Sequence, residues 1–237
     1  MANRVSENVA MLMRVVAHLT PLRERLVFLG GAVTELFITL PGARRPRQTK
    51  DVDVVIDVMN LGEYSDTLRK QLIALGLRED DRDGAPVCRW LLEDMIIDIM
   101  PTRGDILGFS CTWHSTAYAT ATPTQLPDGT VIRLVTPACF LVTKLSAFAD
   151  RGLGNPIASH DLEDVIAVID GRSEIVSDVA QGPTALKAAI REILEHLLAL
   201  PDAEDVIAAQ LLPDVKSQER LPLVLDRIRR LIGAVAE

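Results

Sequence analysis

The residues with the clearest chemical potential are two aspartates separated by a single valine, Asp51 and Asp53. They lie in the stretch 49–56, whose β-branched residues favour a strand. Side chains two residues apart in a strand point to the same side, so the two carboxylates would stand together. Their repulsion is relieved by a divalent cation, and Mg²⁺ commonly binds one or two carboxylates together with substrate phosphates. The alternative is a strand edge that carries two solvated aspartates.

A third acid and a glycine pair make the pattern more specific. Asp98 is a single acid in the apolar run 95–100, and a buried charge there needs a partner, a metal or an exposed strand end. Gly30 and Gly31 follow the apolar run 26–29. A glycine pair at a strand-to-helix turn lets backbone N–H groups approach phosphate oxygens, although by itself it is more often only a tight turn.

The apolar spacing predicts the elements that position these residues. We expect strands at 26–29, 52–58, 87–92, 95–100 and 131–135, with a hairpin turn at Glu93-Asp94. Helices are expected before and between them at 5–19, 32–40 and 64–75. From the helix start at Thr136-Pro137 onward, the expected helices are 137–150, 160–170, 173–180, 184–200, 202–212 and 217–235.

This change of pattern at about residue 136 predicts an α+β protein in two parts. Residues 1–135 would form a mixed sheet flanked by helices, and residues 136–237 an all-helical domain.

The length, composition and net charge of the chain fit a globular protein of the cytoplasm. The 237 residues are 48% apolar and carry a net charge of −8. Charges interrupt residues 1–20, so we expect neither a signal peptide nor a membrane span. The three widely spaced cysteines, Cys88, Cys111 and Cys139, are expected to be reduced core thiols. The acidic balance argues against a large nucleic-acid surface, but the run 44–50 holds four cations and is a local basic patch.

Taken together, these motifs resemble the polymerase-β-type nucleotidyltransferases, and within them the AbiEii/MenT-type enzymes, which include toxins of toxin–antitoxin systems. The resemblance covers roughly residues 26 to 170 and is carried by Gly30-Gly31, the stretch 47–53 with its two aspartates, and Asp98. The stretches 143–147, with Lys144, and 159–165, with Asp161, are similar to the lysine and aspartate motifs of the family. Many members of the wider superfamily have Gly-Ser where this chain has Gly-Gly.

The resemblance implies a polymerase-β-like fold, a nucleoside triphosphate (NTP) as substrate and Mg²⁺ as cofactor, with Mn²⁺ as an alternative. Asp51, Asp53 and Asp98 would bind the metal, and Asp98 would also help to activate the incoming hydroxyl. The implied nucleotide-binding residues are Gly30, Gly31, Thr49, Lys50 and Lys144. Asp161 would position the nucleotide or Lys144. An RNA acceptor, such as a tRNA 3′ end, and a cognate antitoxin protein are the implied partners.

Several alternatives stay open at this stage. Lys144 could lie along an apolar helix face, and Asp161 could simply favour a helix start. The acceptor could be a protein hydroxyl or a small molecule such as an aminoglycoside. The chain could also be a catalytically silent nucleotide sensor or a module that binds an antitoxin or another partner.

Overall fold

The computed structural model describes residues 5–41, 43–108 and 112–233. The chain forms two compact units. Unit 1 consists of Met1–Val33 and Gln48–Thr136, and unit 2 consists of Thr34–Arg47 and Pro137–Glu237. The sequence-based division at residue 136 therefore differs from the structure in one segment, because residues 34–47 belong with the helical unit.

Unit 1 is built on a seven-stranded mixed sheet with the order β3-β4-β5-β2-β1-β7-β6. The strands are β1 Leu26–Leu29, β2 Asp51–Ile56, β3 Arg78–Glu79, β4 Arg89–Leu92, β5 Met95–Pro101, β6 Thr122–Gln125 and β7 Val131–Leu134. The central pair β2–β5 is parallel, as is β1–β7. The pairs β1–β2, β3–β4, β4–β5 and β6–β7 are antiparallel.

The described residues of unit 1 form the α-helices α1 Glu7–His18, α2 Arg69–Ala74 and α3 His114–Thr120, together with a 3₁₀ helix over Thr20–Arg25. The side chain of Ser6 accepts a hydrogen bond from the backbone N–H of Val9 and so caps the start of α1. Both α1 and α3 pack against the central strand β2. The segment Glu63–Leu68 is π-helical and leads directly into α2. The residues of β2 that alternate with Asp51 and Asp53 are apolar and buried, since Val52, Val54 and Ile56 have no exposed surface.

The described residues of unit 2 form helices and connecting segments, with no strand. Its helices are α4 Pro137–Arg151, α5 His160–Gly171, α6 Ile175–Ala180, α7 Thr184–Leu198, α8 Ala203–Ala209, α9 Val215–Gln218 and α10 Leu221–Gly233. Helix α4 packs against α5, α6 and α7, and α10 packs against α5 and α7. The apolar stripe predicted on α7 is buried in this core, with Leu186, Ile190 and Leu194 fully inaccessible.

The segment 34–47 joins unit 2 because its backbone and side chains bond to that unit. The N–H groups of Thr39 and Leu40 both donate to the carbonyl of Gly171, at 3.0 and 2.9 Å. The rings of Phe37 and Phe140 lie 4.9 Å apart. These contacts explain why the helix is shorter than the predicted range 32–40: the chain forms a 3₁₀ helix over Gly31–Phe37 and then turns to meet the end of α5.

The predicted α+β class is confirmed, as are the strand that carries the aspartate pair and the hairpin at Glu93-Asp94. Strands β3 and β6 and helix α3 were not predicted. In the ranges that the structure describes, no helix is both long and apolar enough to cross a membrane. Cys88 and Cys139 are free and buried, while Cys111 lies outside the described residues.

Candidate active site

A row of facing residues crosses four neighbouring strands of the sheet in unit 1. Asp53 on β2 is the register partner of Asp98 on β5, and Asp98 is in turn the partner of Arg89 on β4. On the other side, Asp53 pairs with Leu29, the last residue of β1. Register partners on adjacent strands present their side chains to the same face, about 5 Å apart. Asp53, Asp98 and Arg89 therefore share one face, and Asp51, two residues before Asp53, lies on it as well.

Gly30 brings the glycine turn into direct contact with this row. Its φ is +77°, in the left-handed region that favours glycine. A Cβ atom placed on Gly30 would lie only 1.8 Å from Oδ2 of Asp53. The Asp53 carboxylate thus occupies the space that any other side chain would need, so a glycine is required here by both conformation and packing. Gly31 begins the 3₁₀ helix that follows.

Asp98 is held by an arginine through two parallel hydrogen bonds. Nε of Arg89 donates to Oδ1 of Asp98 at 2.8 Å, and Nη2 donates to Oδ2 at 2.7 Å. The two side chains are 23% and 12% exposed, so the pair is only partly solvated. The ion pair with Asp98 raises the pKa of Arg89 above its ordinary value, and the charge of Asp51 acts in the same direction. The guanidinium therefore stays positive beside the carboxylates.

Asp51 is oriented by a chain of polar contacts that begins in α1. Oδ1 of Asn8, a buried residue, accepts the backbone N–H of Thr49 at 3.0 Å. The hydroxyl of Thr49 donates to Oδ1 of Asp51 at 2.6 Å. Thr49 is consequently a residue that positions Asp51 in this structure, and Lys50 beside it is exposed.

Two titratable side chains whose pKa values respond to the charge of Asp98, Cys88 and Tyr64, are buried. Burial raises the pKa of the Cys88 thiol to about 12, and the negative charge of Asp98 acts in the same direction. Burial also raises the pKa of Tyr64, whose hydroxyl donates to the carbonyl of Ile99 at 2.7 Å. Charges in such surroundings interact more strongly than in water.

The donor set on this face fits a cation bound by two carboxylates better than one bound by three. Asp51 and Asp53 offer hard oxygen ligands on one side of a strand, and Mg²⁺ is commonly bound in this way together with phosphates. Asp98 instead directs both oxygens at Arg89. Among the described residues, no three His, Cys, Asp or Glu side chains are grouped so that they could hold a metal ion by themselves.

Lys144 and Asp161 belong to unit 2, where they are part of an ion-pair network. Nζ of Lys144 lies 3.2 Å from Oδ1 of Asp161 and 2.8 Å from Oδ2 of Asp164. Arg151, at the end of α4, also contacts Asp161 at 2.7 Å. Lys144 and both aspartates are nearly inaccessible, with side chains 11%, 9% and 1% exposed. Lys144 is therefore fixed by carboxylates rather than extended along an apolar face.

Two of the cations in the basic run 44–50, Arg44 and Arg47, form ion pairs inside unit 2. Arg44 is paired with Glu163 and also donates to the carbonyl of Gln210. Arg47 lies 3.3 Å from Oδ2 of Asp164. Two acids in the first turns of α5, Glu163 and Asp164, thus bind the segment 34–47 through ion pairs. Of the four cations in the run, Arg45 and Lys50 are exposed.

Three residues of this architecture were missed from the sequence: Asn8, Arg89 and Asp164. A signal existed for Arg89, because a two-residue hairpin turn at Glu93-Asp94 makes residue 89 the partner of residue 98. Asp164 lies within the stretch 159–165 that resembles the aspartate motif, but its buried position depends on the packing of α4. Asn8 acts through a contact 41 residues along the chain, which no local pattern reveals.

Comparison with known proteins finds only distant likenesses among solved structures. No protein-family model matches the chain. No curated protein matches it either. The solution structure of the antibiotic-resistance factor ANT(2'')-Ia is similar to this chain at 17% sequence identity and a TM-score of 0.45, over 80% of this chain and 94% of that one. A likeness this distant does not assign an activity.

Proposed function

We propose that this protein is a metal-dependent nucleotidyltransferase, which moves a nucleotide from an NTP to an acceptor hydroxyl. The proposal is supported above all by the row in which Asp53 and Asp98 are register partners beside Gly30. Asp51 adds a second carboxylate on the face of β2 that carries Asp53. The motif resemblance to the polymerase-β-type enzymes supports nucleotidyl transfer as the reaction of this site.

Asp51 and Asp53 are the residues that would hold Mg²⁺ or Mn²⁺. When bound, such a cation neutralises triphosphate charge and favours attack at phosphorus. The contact from Thr49 fixes the orientation of Asp51, and the lack of a side chain on Gly30 leaves room for the Asp53 carboxylate. Nucleotidyl transfer needs positioning and charge neutralisation more than covalent participation by the protein, so these fixed carboxylates suit the reaction.

In the proposed step, the acceptor oxygen forms a bond to the α-phosphorus of the NTP. The bond from that phosphorus to the bridging oxygen of the β-phosphate breaks, and pyrophosphate leaves with the bonding electrons. Asp98 accepts the hydrogen bond of the attacking hydroxyl, whose proton passes to water as the new bond forms. Arg89 holds Asp98 in a fixed orientation for this role.

For the acceptor, we rank RNA first, for example a tRNA 3′ end modified by a toxin-like enzyme that is controlled by a cognate antitoxin. Lys50, an exposed cation next to Asp51 in the chain, supports a polyanionic ligand. The pairing of Arg44 and Arg47 with acids of α5 reduces the free positive charge of this run. A protein hydroxyl and a small molecule such as an aminoglycoside are therefore retained as acceptors in the test below.

A catalytically silent nucleotide-binding module is the second candidate, and one observation favours it. Both oxygens of Asp98 are directed at Arg89, which leaves that carboxylate less available to activate a hydroxyl. Such a module would bind NTP and a cation without transferring a nucleotide.

A labelling experiment tests the proposal. The purified full chain is incubated with each α-³²P-labelled NTP and Mg²⁺ or Mn²⁺, with total RNA, an aminoglycoside mixture or no addition. We expect label to appear on one acceptor and to disappear in Asp51→Asn and Asp53→Asn. Asp57→Asn is the matched control, because Asp57 lies just beyond the same strand, is exposed and bonds to Thr102. It should retain transfer.

The outcomes separate the candidates. NTP binding without transfer to any acceptor would favour the silent module. Absence of both binding and transfer would contradict the proposed function.

A further inference from the structure

We infer that Arg89 takes the place of a second divalent cation at this site, so that one cation binds, at Asp51 and Asp53. The inference rests on the proposed function and makes it more specific. It concerns Asp98, the carboxylate that the family resemblance implies as a metal ligand.

The first reason is the geometry of the Arg89–Asp98 pair. The two residues are register partners on β4 and β5, so the strands themselves set the guanidinium opposite the carboxylate. Both Asp98 oxygens accept a hydrogen bond, at 2.8 and 2.7 Å. The fork geometry of an arginine matches a carboxylate with two contacts at once, which fixes both groups in one plane.

The second reason is charge. A cation that bridged Asp53 and Asp98 would lie beside a guanidinium that already neutralises Asp98. To bind there, the cation would have to displace Arg89 from a partly buried pair and leave its charge without a partner, which is strongly unfavourable. Arg89 thus supplies, next to Asp98, the positive charge that the second metal ion supplies at a two-metal site.

The third reason is the contrast with the other two carboxylates. Asp51 receives the neutral hydroxyl of Thr49 and has no ion pair with any described residue. Asp53 is bounded by Gly30, which has no side chain to compete with a ligand. Asp98 differs from Asp51 in that both of its oxygens are bonded to a guanidinium.

The inference is tested by counting Mn²⁺ ions bound to the full chain without nucleotide. Free Mn²⁺ is measured by electron paramagnetic resonance during a titration, and the binding of an Asp51→Asn/Asp53→Asn double variant is subtracted as background. We expect the wild type to bind one Mn²⁺ above this background. Arg89→Gln should bind two, and Arg89→Gln/Asp98→Asn should return to one.

Arg69→Gln is the matched control, because Arg69 makes a similar two-contact pair with Glu79 on the exposed surface of unit 1. It should bind one Mn²⁺ like the wild type. Circular dichroism establishes that each variant is folded, and the wild-type count stands alone if Arg89→Gln does not fold.

The results distinguish the inference from the function on which it rests. Two ions in the wild type, or one ion in a folded Arg89→Gln, would overturn the inference and leave the proposed function standing. No ion above background in the wild type would overturn both.

Discussion

Arg89 and Asp98 face each other across the hairpin of β4 and β5 and share two hydrogen bonds of 2.8 and 2.7 Å. The next partner of Asp98, on its other side, is Asp53. Arg89 thus lies next to Asp98 at one end of the row that also contains Asp53, and its positive charge neutralises the carboxylate of Asp98. This relationship links the stability of the sheet to the electrostatics of the proposed site.

Replacing Arg89 with glutamine should destabilise the protein by about 2 kcal/mol, because a partly buried carboxylate loses a charged partner. The free energy of unfolding is measured by urea denaturation at neutral pH. Arg69→Gln breaks a pair of the same geometry whose side chains are 46% and 49% exposed, and it should have a much smaller effect. Equal losses in both variants would show that the Arg89–Asp98 pair is no stronger than a surface pair.

Replacing Gly30 with alanine should remove cation binding as well as stability. The added Cβ would meet Asp53 Oδ2 at 1.8 Å, so the carboxylate must move. Gly84 provides the control, since its φ of +79° carries the same backbone strain and nothing lies within 4 Å of its missing Cβ. Gly84→Ala should lose about 1 kcal/mol from strain alone and keep its Mn²⁺ affinity. If Gly30→Ala binds Mn²⁺ as tightly as Gly84→Ala, the contact with Asp53 has no bearing on the site.

Lys144→Met keeps the apolar stem of the lysine but leaves two nearly buried aspartates with less positive charge. Because Arg47 and Arg151 remain near those acids, we expect a loss of about 2–4 kcal/mol rather than complete unfolding. Lys216→Met, at an exposed position on α9, should change the stability by no more than about 0.5 kcal/mol. Thermal or urea unfolding measures both, and an equally small effect of Lys144→Met would contradict a structural role for the network.

His114 should make the protein less stable in mild acid. Burial lowers its pKa below the ordinary value of 6.5, so the folded protein keeps the ring neutral while the unfolded chain binds a proton. The free energy of unfolding should therefore fall as the pH drops below 6.5 and level off below the folded pKa, with a slope of at most about 1.4 kcal/mol per pH unit. His114→Gln removes this contribution.

Unfolding of wild type and His114→Gln is compared from pH 8 to pH 5, with their difference at pH 8 as the baseline. The difference should shift in favour of the variant as the pH falls. A constant difference across the range would mean that His114 protonates equally in both states.

Much of the sheet could be predicted because its signals are local. The alternation of acids and valines in β2 and the two-residue turn before β5 set strands and register within a few residues. Strand β6 was missed because Pro123 is unfavourable in a strand, although β6 lies at the sheet edge, where proline is tolerated. Helix α3 contains few large apolar residues, so it has no helical periodicity to detect.

The remaining features depend on contacts that are distant along the chain. The segment 34–47 leaves the helical pattern because the backbone N–H groups of Thr39 and Leu40 donate to the carbonyl of Gly171. Gly171 lies 132 residues after Thr39 in the chain. The apparent basic patch proved to be partly internal because Glu163 and Asp164 pair with Arg44 and Arg47. Charge counting along the sequence cannot distinguish a solvated arginine from one that is committed to an acid.

The most direct test of the proposed site is the position of a bound cation. Crystals of the full chain grown with Mn²⁺ and a non-hydrolysable NTP analogue would locate the metal by its anomalous scattering. We predict a peak between the carboxylates of Asp51 and Asp53, next to the triphosphate, with Arg89 still paired to Asp98. A triphosphate and metal bound away from Asp51 and Asp53 would contradict the account.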